Sequence, residues 1–202
     1  MQSPVYGILE FKDIANKEQL GIFTVPVISC ITSAFGNVMP DNEVDGALKG
    51  SHLFIALTPN NEVLAFASLN QKNIGEYTYK RLDYSDETPR LSLGGATVQR
   101  EYQGYGIYST LNQYRLAYLV REKIPVLTTT TQNPKVERGI ENTLEYYKRY
   151  GLKEFRLERV PLPGFYKRRL TNYTLKVKDT PYENLDYAAG DGYSLVFHIK
   201  YE

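Results

Sequence analysis

The run of residues from Val98 to Leu111 constrains the fold more than any other part of the sequence. It joins an alternating apolar segment to an amphipathic segment through a loop that carries Gly104 and Gly106, which predicts a strand, a tight turn and a helix. The start of a helix leaves backbone N–H groups without partners at the positive end of the helix dipole, and glycines let a ligand approach the backbone closely. This segment is therefore a candidate site for a phosphate-bearing ligand.

Two common phosphate-binding loops do not fit this segment. A dinucleotide-binding loop requires a third glycine at the position where Ser109 stands. A P-loop requires a Gly-Lys-Ser or Gly-Lys-Thr sequence, which does not follow here. Taken alone, two glycines after a strand are more typical of a plain tight turn, so that interpretation stays open at this point.

Composition excludes several classes of protein. The 202 residues include 24 Lys plus Arg and 23 Asp plus Glu, a balance that favours neither nucleic acid nor an anionic membrane as a partner. Cys30 is the only cysteine, which excludes an internal disulfide and indicates a reducing compartment, so we expect a cytoplasmic protein. The longest apolar stretch, Leu20 to Phe35, contains Pro26 and is short for a membrane span, and we expect no signal segment. Two histidines and one cysteine form no metal-binding pattern.

Hydrophobic periodicity predicts a mixed α/β fold in a single domain, residues 1–202. Strands are expected at residues 5–12, 52–58, 62–69, 91–98, 124–131, 154–160, 172–178 and 193–200, and helices at 16–35, 41–48, 107–122 and 134–150. Pro26 predicts a kink or a division into two shorter helices. A helix separates strands 91–98 and 124–131, so they should form a parallel pair in the middle of a mostly antiparallel central sheet flanked by helices. Residues 179–202 are expected to be a C-terminal extension with a final strand.

The two central helices have predicted faces and ends. The buried face of the first is expected to carry Ile107, Leu111, Tyr114 and Tyr118. The second should begin at Asn133-Pro134, because asparagine caps helices and proline suits the first helical position. It should end at Gly151, a typical residue after a helix C-terminus.

Two motifs and the element order resemble the GNAT superfamily of acyl-CoA N-acyltransferases. Gln103 and Gly106 correspond to the superfamily pattern Arg/Gln-x-x-Gly-x-Gly/Ala, which starts five residues after Val98. A helix ending in Tyr147, followed by Gly151-Leu152, corresponds to the superfamily's Tyr and Gly-Phe. The resemblance is close over about residues 91–155 and rests on element order elsewhere.

The resemblance implies an N-acetyltransferase in which an amine of a small molecule or peptide attacks the thioester of acetyl-CoA directly. Tyr147 would protonate the departing thiolate, since a phenol has a pKa of about 10 and is protonated at neutral pH. The acceptor would enter beside the loop at residues 71–90. The residues implied to bind the cofactor are Ala96, Thr97 and Val98 for pantetheine, Gln103, Gly104, Tyr105, Gly106, Ile107, Tyr108 and Ser109 for pyrophosphate, Arg100 as a charged contact, and Asn133 and Asn142 as further contacts.

Three departures from the superfamily pattern leave alternatives open. Tyr108 stands where a small residue is usual, Ile140 stands where an asparagine is frequent, and the strand at residues 91–98 carries no carboxylate to act as a base. One alternative is a GNAT-fold protein that binds acyl-CoA without turnover, and another is transfer of a longer acyl group. The acceptor, the base and the oligomeric state are not identified by the sequence, with a homodimer as one option. His52 and His198 are considered as bases, although structural or exposed histidines are more common.

Overall fold

A computed structural model describes residues 3–12, 17–35, 52–70, 88–169 and 181–202. The predicted helix at 41–48, the predicted strand at 172–178 and residues 71–87 of the predicted acceptor-side loop lie outside the described residues. The strands are β1 (Gly7–Lys12), β2 (His52–Leu57), β3 (Val63–Asn70), β4 (Arg90–Val98), β5 (Val126–Thr131), β6 (Leu152–Leu162) and β7 (Gly192–Tyr201). The helices are α1 (Lys17–Phe35), α2 (Ile107–Arg121), α3 (Pro134–Tyr147) and α4 (Phe165–Arg169).

The strands form a mixed sheet of seven strands in the order β1-β2-β3-β4-β5-β7-β6. The parallel pair is β4 and β5, in which Leu91 lies opposite Leu127. The pairs β1-β2, β2-β3, β5-β7 and β6-β7 are antiparallel. The predicted fold class, a mostly antiparallel sheet with a parallel pair in the middle and helices at its sides, is confirmed.

The chain divides into two compact units. Unit 1 comprises Met1–Asn70 and Leu93–Arg115, and unit 2 comprises Gln71–Ser92 and Leu116–Glu202. Both β4 and α2 contribute residues to each unit. None of the helices in the described part of the chain combines the length and the apolar character needed to cross a membrane.

The core of unit 1 lies between α1 and the β2-β3 hairpin. The residues of this cluster are Val27, Cys30, Ile31, Leu53, Ile55, Val63 and Phe66, each at most 2% exposed. Burial raises the pKa of Cys30 to about 12, so its thiol behaves as a small apolar group. Pro26 lies inside α1, so the alternative of two shorter helices is wrong, and the alternative of a kink stays a prediction. The buried residues that follow Pro26 continue the packed face, and their burial offsets the hydrogen bond that proline removes.

The core of unit 2 packs α3 against strands. Ile140 and Leu144 of α3 are fully buried. Asn133 caps the helix as predicted, because its Oδ1 accepts the backbone N–H of Lys135 at 2.9 Å. The helix ends at Tyr147 and continues as a 3₁₀ turn, so the predicted glycine stop at Gly151, with φ +95°, comes one turn later.

The buried face of α2 differs from the prediction. Ile107 and Leu111 are buried, but Tyr114 is 46% exposed and Tyr118 is half-buried. The other buried residues of the helix are Asn112, Arg115, Leu116 and Leu119. The prediction used only the spacing of apolar residues. The buried face also includes Asn112 and Arg115, which are of types that are seldom buried.

Candidate functional site

The candidate site begins in unit 1, where β4 ends. Gln99 anchors this end, because its backbone N–H donates to Leu64 O at 2.8 Å and its Nε2 donates to Val63 O at 2.5 Å. Gln103 then folds back, and its Nε2 donates to Val98 O at 3.2 Å. These contacts hold the connection between strand and helix to β3 and β4.

Gly104 and Gly106 have backbone conformations that other residues rarely adopt. The φ angle is +91° at Gly104 and +78° at Gly106. A Cβ atom at either position would meet no atom of the described residues within 4 Å. Steric crowding by neighbouring atoms is therefore not the reason for glycine at these two positions. The turn requires their left-handed conformation, and their backbone borders space that a ligand can enter.

The helix α2 begins directly after Gly106. The hydrogen bond from Thr110 N to Gly106 O, 3.1 Å long, closes its first turn. The amides of Ile107, Tyr108 and Ser109 precede Thr110, and helix geometry provides no acceptor for them within the helix. They lie at the positive end of the helix dipole, so the turn suits an anion with several oxygen atoms, such as a pyrophosphate.

The other cofactor-binding candidates of unit 1 lie along the same stretch. Thr97 and Val98 are buried, with 4% and 9% of their surfaces exposed, whereas Ala96 is half-buried. Arg100 is exposed, and its backbone N–H donates to Ser33 Oγ at 3.3 Å. The structure therefore places a buried strand end next to an accessible turn, and the role of each residue in binding stays a prediction.

Tyr147 is the last residue of α3, in unit 2. Its ring centroid lies 5.3 Å from that of Tyr146 and 5.9 Å from that of Tyr150. Burial, with smaller contributions from Tyr146 and Tyr150, raises the pKa of Tyr147 to about 12. The phenol is therefore protonated at neutral pH and can donate a hydrogen bond.

The two asparagines proposed as further cofactor contacts are both in unit 2. Asn133 uses its side-chain oxygen to cap α3, and Asn142 is exposed within that helix. Neither observation tests a role in cofactor binding, which stays a prediction for both residues.

The fold was compared with known proteins. No protein-family model matches the sequence, and no curated protein matches it in a sequence comparison. The chain is similar in structure to an IAA acetyltransferase from Bacillus cereus, with a TM-score of 0.55 and 12% identity over 97% of this chain and all of that one. It is similar to a Bacillus subtilis acetyltransferase in complex with CoA, with a TM-score of 0.54 and 12% identity over 95% of this chain and 97% of that one.

A third similar structure is the NatC complex bound to Gag peptide and CoA, with a TM-score of 0.53 and 16% identity over 98% of this chain and 100% of the matched chain. The chain has the GNAT acetyltransferase fold. At these sequence identities the similarity establishes the GNAT fold, and the reaction has to be argued from the residues of this chain.

The strand and the two histidines considered for a base lie among the described residues. The β4 strand carries no Asp or Glu. In unit 1, His52 Nδ1 lies 3.4 Å from Glu10 Oε1. In unit 2, His198 Nε2 lies 3.1 Å from Glu158 Oε2, and burial lowers the pKa of His198. Neither contact identifies a base, so we assign none.

Glu137, a buried carboxylate in the first turn of α3, was not predicted from the sequence. Arg159 holds it with two hydrogen bonds of 2.8 and 2.5 Å, and Tyr182 donates a third of 2.8 Å. Burial raises the pKa of Glu137, but the hydrogen bonds from Arg159 and Tyr182 outweigh burial and lower it. The signal in the sequence was helical spacing, since Glu137 precedes the buried Ile140 and Leu144 by three and seven residues.

Unit 2 also has two surface cavities, with volumes of about 470 and 420 Å³. The larger is lined by residues including Pro125, Phe155 and His198. The smaller is lined in part by Glu137 and Arg159, whose charges already neutralise each other. Neither cavity includes the glycine turn of unit 1, so neither adds to the candidate cofactor site.

Proposed function

We propose that this protein is an N-acetyltransferase that transfers an acetyl group from acetyl-CoA to a primary amine of a small molecule or peptide. The glycine turn at the start of α2 carries this proposal, because the backbone amides at the start of a helix suit an anion. The amides of Gly104 to Ser109 would bind the pyrophosphate, with Arg100 as an additional cation. The predicted contribution of the Gln103 amide is not included, because its N–H donates to Arg100 O at 3.5 Å. The backbone of Ala96 to Val98 would hold the pantetheine arm.

In the proposed reaction, the amine nitrogen attacks the thioester carbonyl carbon and the C–S bond breaks. The nitrogen loses one proton and the departing sulfur gains one, so an amide and CoA are formed. A base or a water chain has to remove the proton from the nitrogen, because an ammonium group has no lone pair for the attack.

Tyr147 is our proposed hydrogen-bond donor to the departing sulfur. Its pKa of about 12 is above the value of about 8.5 for a thiol, so complete proton transfer from the phenol to the thiolate is unfavourable. We therefore propose that Tyr147 donates a hydrogen bond to the sulfur as negative charge develops there, and that the thiolate takes its final proton from solvent.

Isothermal titration with CoA and acetyl-CoA tests the binding part of the proposal. We expect saturable binding of both ligands, because the turn recognises the pyrophosphate that they share. Absence of binding of both CoA and acetyl-CoA at millimolar concentration would refute the proposal. Titration with longer acyl-CoA thioesters in the same experiment tests whether the donor chain length is restricted to acetyl.

Thiol release from acetyl-CoA, measured over a panel of small amines and peptides, tests the chemical step. Tyr147→Phe should lower kcat by about 10- to 100-fold and leave CoA affinity unchanged. This factor corresponds to the loss of a hydrogen bond to a charged atom, which contributes about 1.5 to 3 kcal/mol. Tyr146→Phe on the same helix is the matched control, because Tyr146 is 40% exposed, and it should keep near wild-type turnover. Equal turnover of Tyr147→Phe and wild type would remove Tyr147 from this role.

A second candidate function is binding of acyl-CoA without turnover. It is favoured by one observation, the absence of a carboxylate on β4. Tight CoA binding together with no thiol release from any amine in the panel would favour it over the transferase.

A further inference from the structure

Arg115 of α2 is an arginine buried in the interior of unit 1. Only 1% of its surface is exposed. Its Nη1 donates to Ser68 O at 3.4 Å, and its Nη2 donates to Asn112 Oδ1. Its Nε has no hydrogen-bond partner among the described residues. A guanidinium stays protonated in proteins, so α2 carries a full positive charge inside the fold.

Burying this charge costs free energy of folding, so a gain in structure or in ligand binding has to offset it. A buried charge that lacks an opposite charge loses its hydration without an equivalent return. Among the described residues, Arg115 contacts the neutral groups of Ser68, Asn112 and Tyr108. Burial lowers the pKa of Arg115, and the neighbouring Tyr108 partly counters this effect. A methionine or leucine would fill a purely structural position at lower cost.

The direction of the side chain links Arg115 to the start of the helix. Helical side chains lean towards the helix N-terminus, and Tyr108 lies two turns before Arg115 on the same face. The guanidinium carbon is 5.9 Å from the centre of the Tyr108 ring, within the range of a cation–π contact. The other contacts of the guanidinium are to Ser68 on β3 and to Asn112 on α2, so it connects the first turn of the helix to the sheet.

Tyr108 occupies a position where the related pattern has a small residue, and its amide is one of those that have no acceptor within the helix. Its side chain is half-buried. We propose that Arg115 is a positioning residue that holds Tyr108, and with it the first turn of α2, in the conformation that binds the pyrophosphate of CoA. This inference rests on the proposed function, because CoA is the ligand of that turn.

Competition experiments on wild type, Arg115→Met and Arg115→Lys test the inference. Affinity is measured by titration with CoA, and the inhibition constants of inorganic pyrophosphate and of pantetheine are measured against CoA. In Arg115→Met we expect about tenfold weaker binding of CoA and pyrophosphate, because the turn is less preorganised, and unchanged binding of pantetheine, which has no pyrophosphate. In Arg115→Lys the charge remains but the planar fork is lost, so binding should stay weak.

Arg121→Met on the same helix is the matched control, since Arg121 is exposed and its guanidinium carbon lies 5.0 Å from the centre of the Tyr118 ring. Its CoA affinity should equal that of wild type. Should Arg115→Met fail to fold, Tyr108→Leu gives the same test from the other side of the contact. In a folded series the double variant Arg115→Met/Tyr108→Leu should bind no more weakly than the weaker single variant, because both changes remove one contact.

Several results would overturn the inference. Unchanged CoA affinity in Arg115→Met would show that the contact does not act on the turn. An equal loss of pantetheine binding would indicate a general structural role, and full recovery in Arg115→Lys would indicate that charge alone matters. A wild-type protein that does not bind CoA would overturn the proposed function as well, whereas a wild type that binds and an Arg115→Met variant that binds equally would overturn only this inference.

Discussion

Replacement of Gly106 by alanine distinguishes a ligand-binding turn from a structural one. Gly106 has a φ angle of +78°, where an alanine costs about 1 to 2 kcal/mol more than glycine. The smaller entropy of the unfolded alanine chain offsets about 0.4 to 1 kcal/mol of this cost. We expect Gly106→Ala to lower the free energy of unfolding by about 1 kcal/mol, which for a chain of this size lowers Tm by about 2 to 4 °C.

The effect of Gly106→Ala on CoA binding should exceed its effect on folding. In the free protein the new methyl group meets no atom of the described residues within 4 Å, so it projects into the space beside the turn. A pyrophosphate in that space would lose one charge-assisted hydrogen bond to a backbone amide, a loss of about 1.5 to 3 kcal/mol. CoA affinity should therefore fall by about 10- to 100-fold.

Calorimetric titration with CoA and thermal unfolding together measure these two effects. Gly151→Ala in unit 2 is the matched control, because Gly151 has a φ angle of +95° and a Cβ there also meets no described atom within 4 Å. The control should lose a similar amount of stability and keep its CoA affinity. If Gly106→Ala is destabilised like the control and yet binds CoA as tightly as wild type, the turn is only structural and the reasoning is refuted.

Two further predictions concern stability. The pKa of Glu137 is lowered despite burial, so its contribution is present above the unfolded value near 4.5 and is lost as the pH falls through the folded-state value. Glu137→Gln should therefore cost about 1 to 2 kcal/mol at neutral pH, a modest value because Arg159 is partly exposed, and urea titrations should show the difference from wild type narrowing in acid. A cost that does not change with pH would contradict the ion-pair explanation. Gly94→Ala should cost about 1 to 3 kcal/mol, because its Cβ would lie 2.1 Å from Ser68 Oγ, whereas Gly7→Ala, with no described atom within 4 Å of its Cβ, should be close to neutral. Equal midpoints for the two alanine variants in urea would show that Ser68 moves aside without cost.

The features that could be predicted depend on neighbours in the chain. The hairpin of β2 and β3 follows from the turn residues between them, and Asn61 adopts a φ angle of +63° there. The cap by Asn133 and the left-handed Gly106 follow from local backbone chemistry in the same way. In each case the groups that interact lie within a few residues of one another, so the sequence alone contains the relevant information.

The features that were missed depend on residues far apart in the chain. Neither Arg115 nor Glu137 was singled out from the sequence, and charged residues are seldom fully buried. Arg115 is buried beside Ser68, which precedes it by 47 residues, and Glu137 is buried against Arg159 and Tyr182, which follow by 22 and 45. Periodicity reports which residues share a helix face, but it does not report what an opposing element offers to a polar group.

The sequence by itself determined that a glycine turn joins a strand to a helix, and it carried the resemblance of that turn to the GNAT pattern. It determined these points because backbone conformation at glycine and the polarity of a helix start are local properties. Only the tertiary structure decided that the space beside Gly106 is open and that Tyr108 rests on the buried Arg115. The position of Arg115 depends on its hydrogen bond to Ser68 O of β3, a residue 47 positions earlier in the chain that no local signal connects to it.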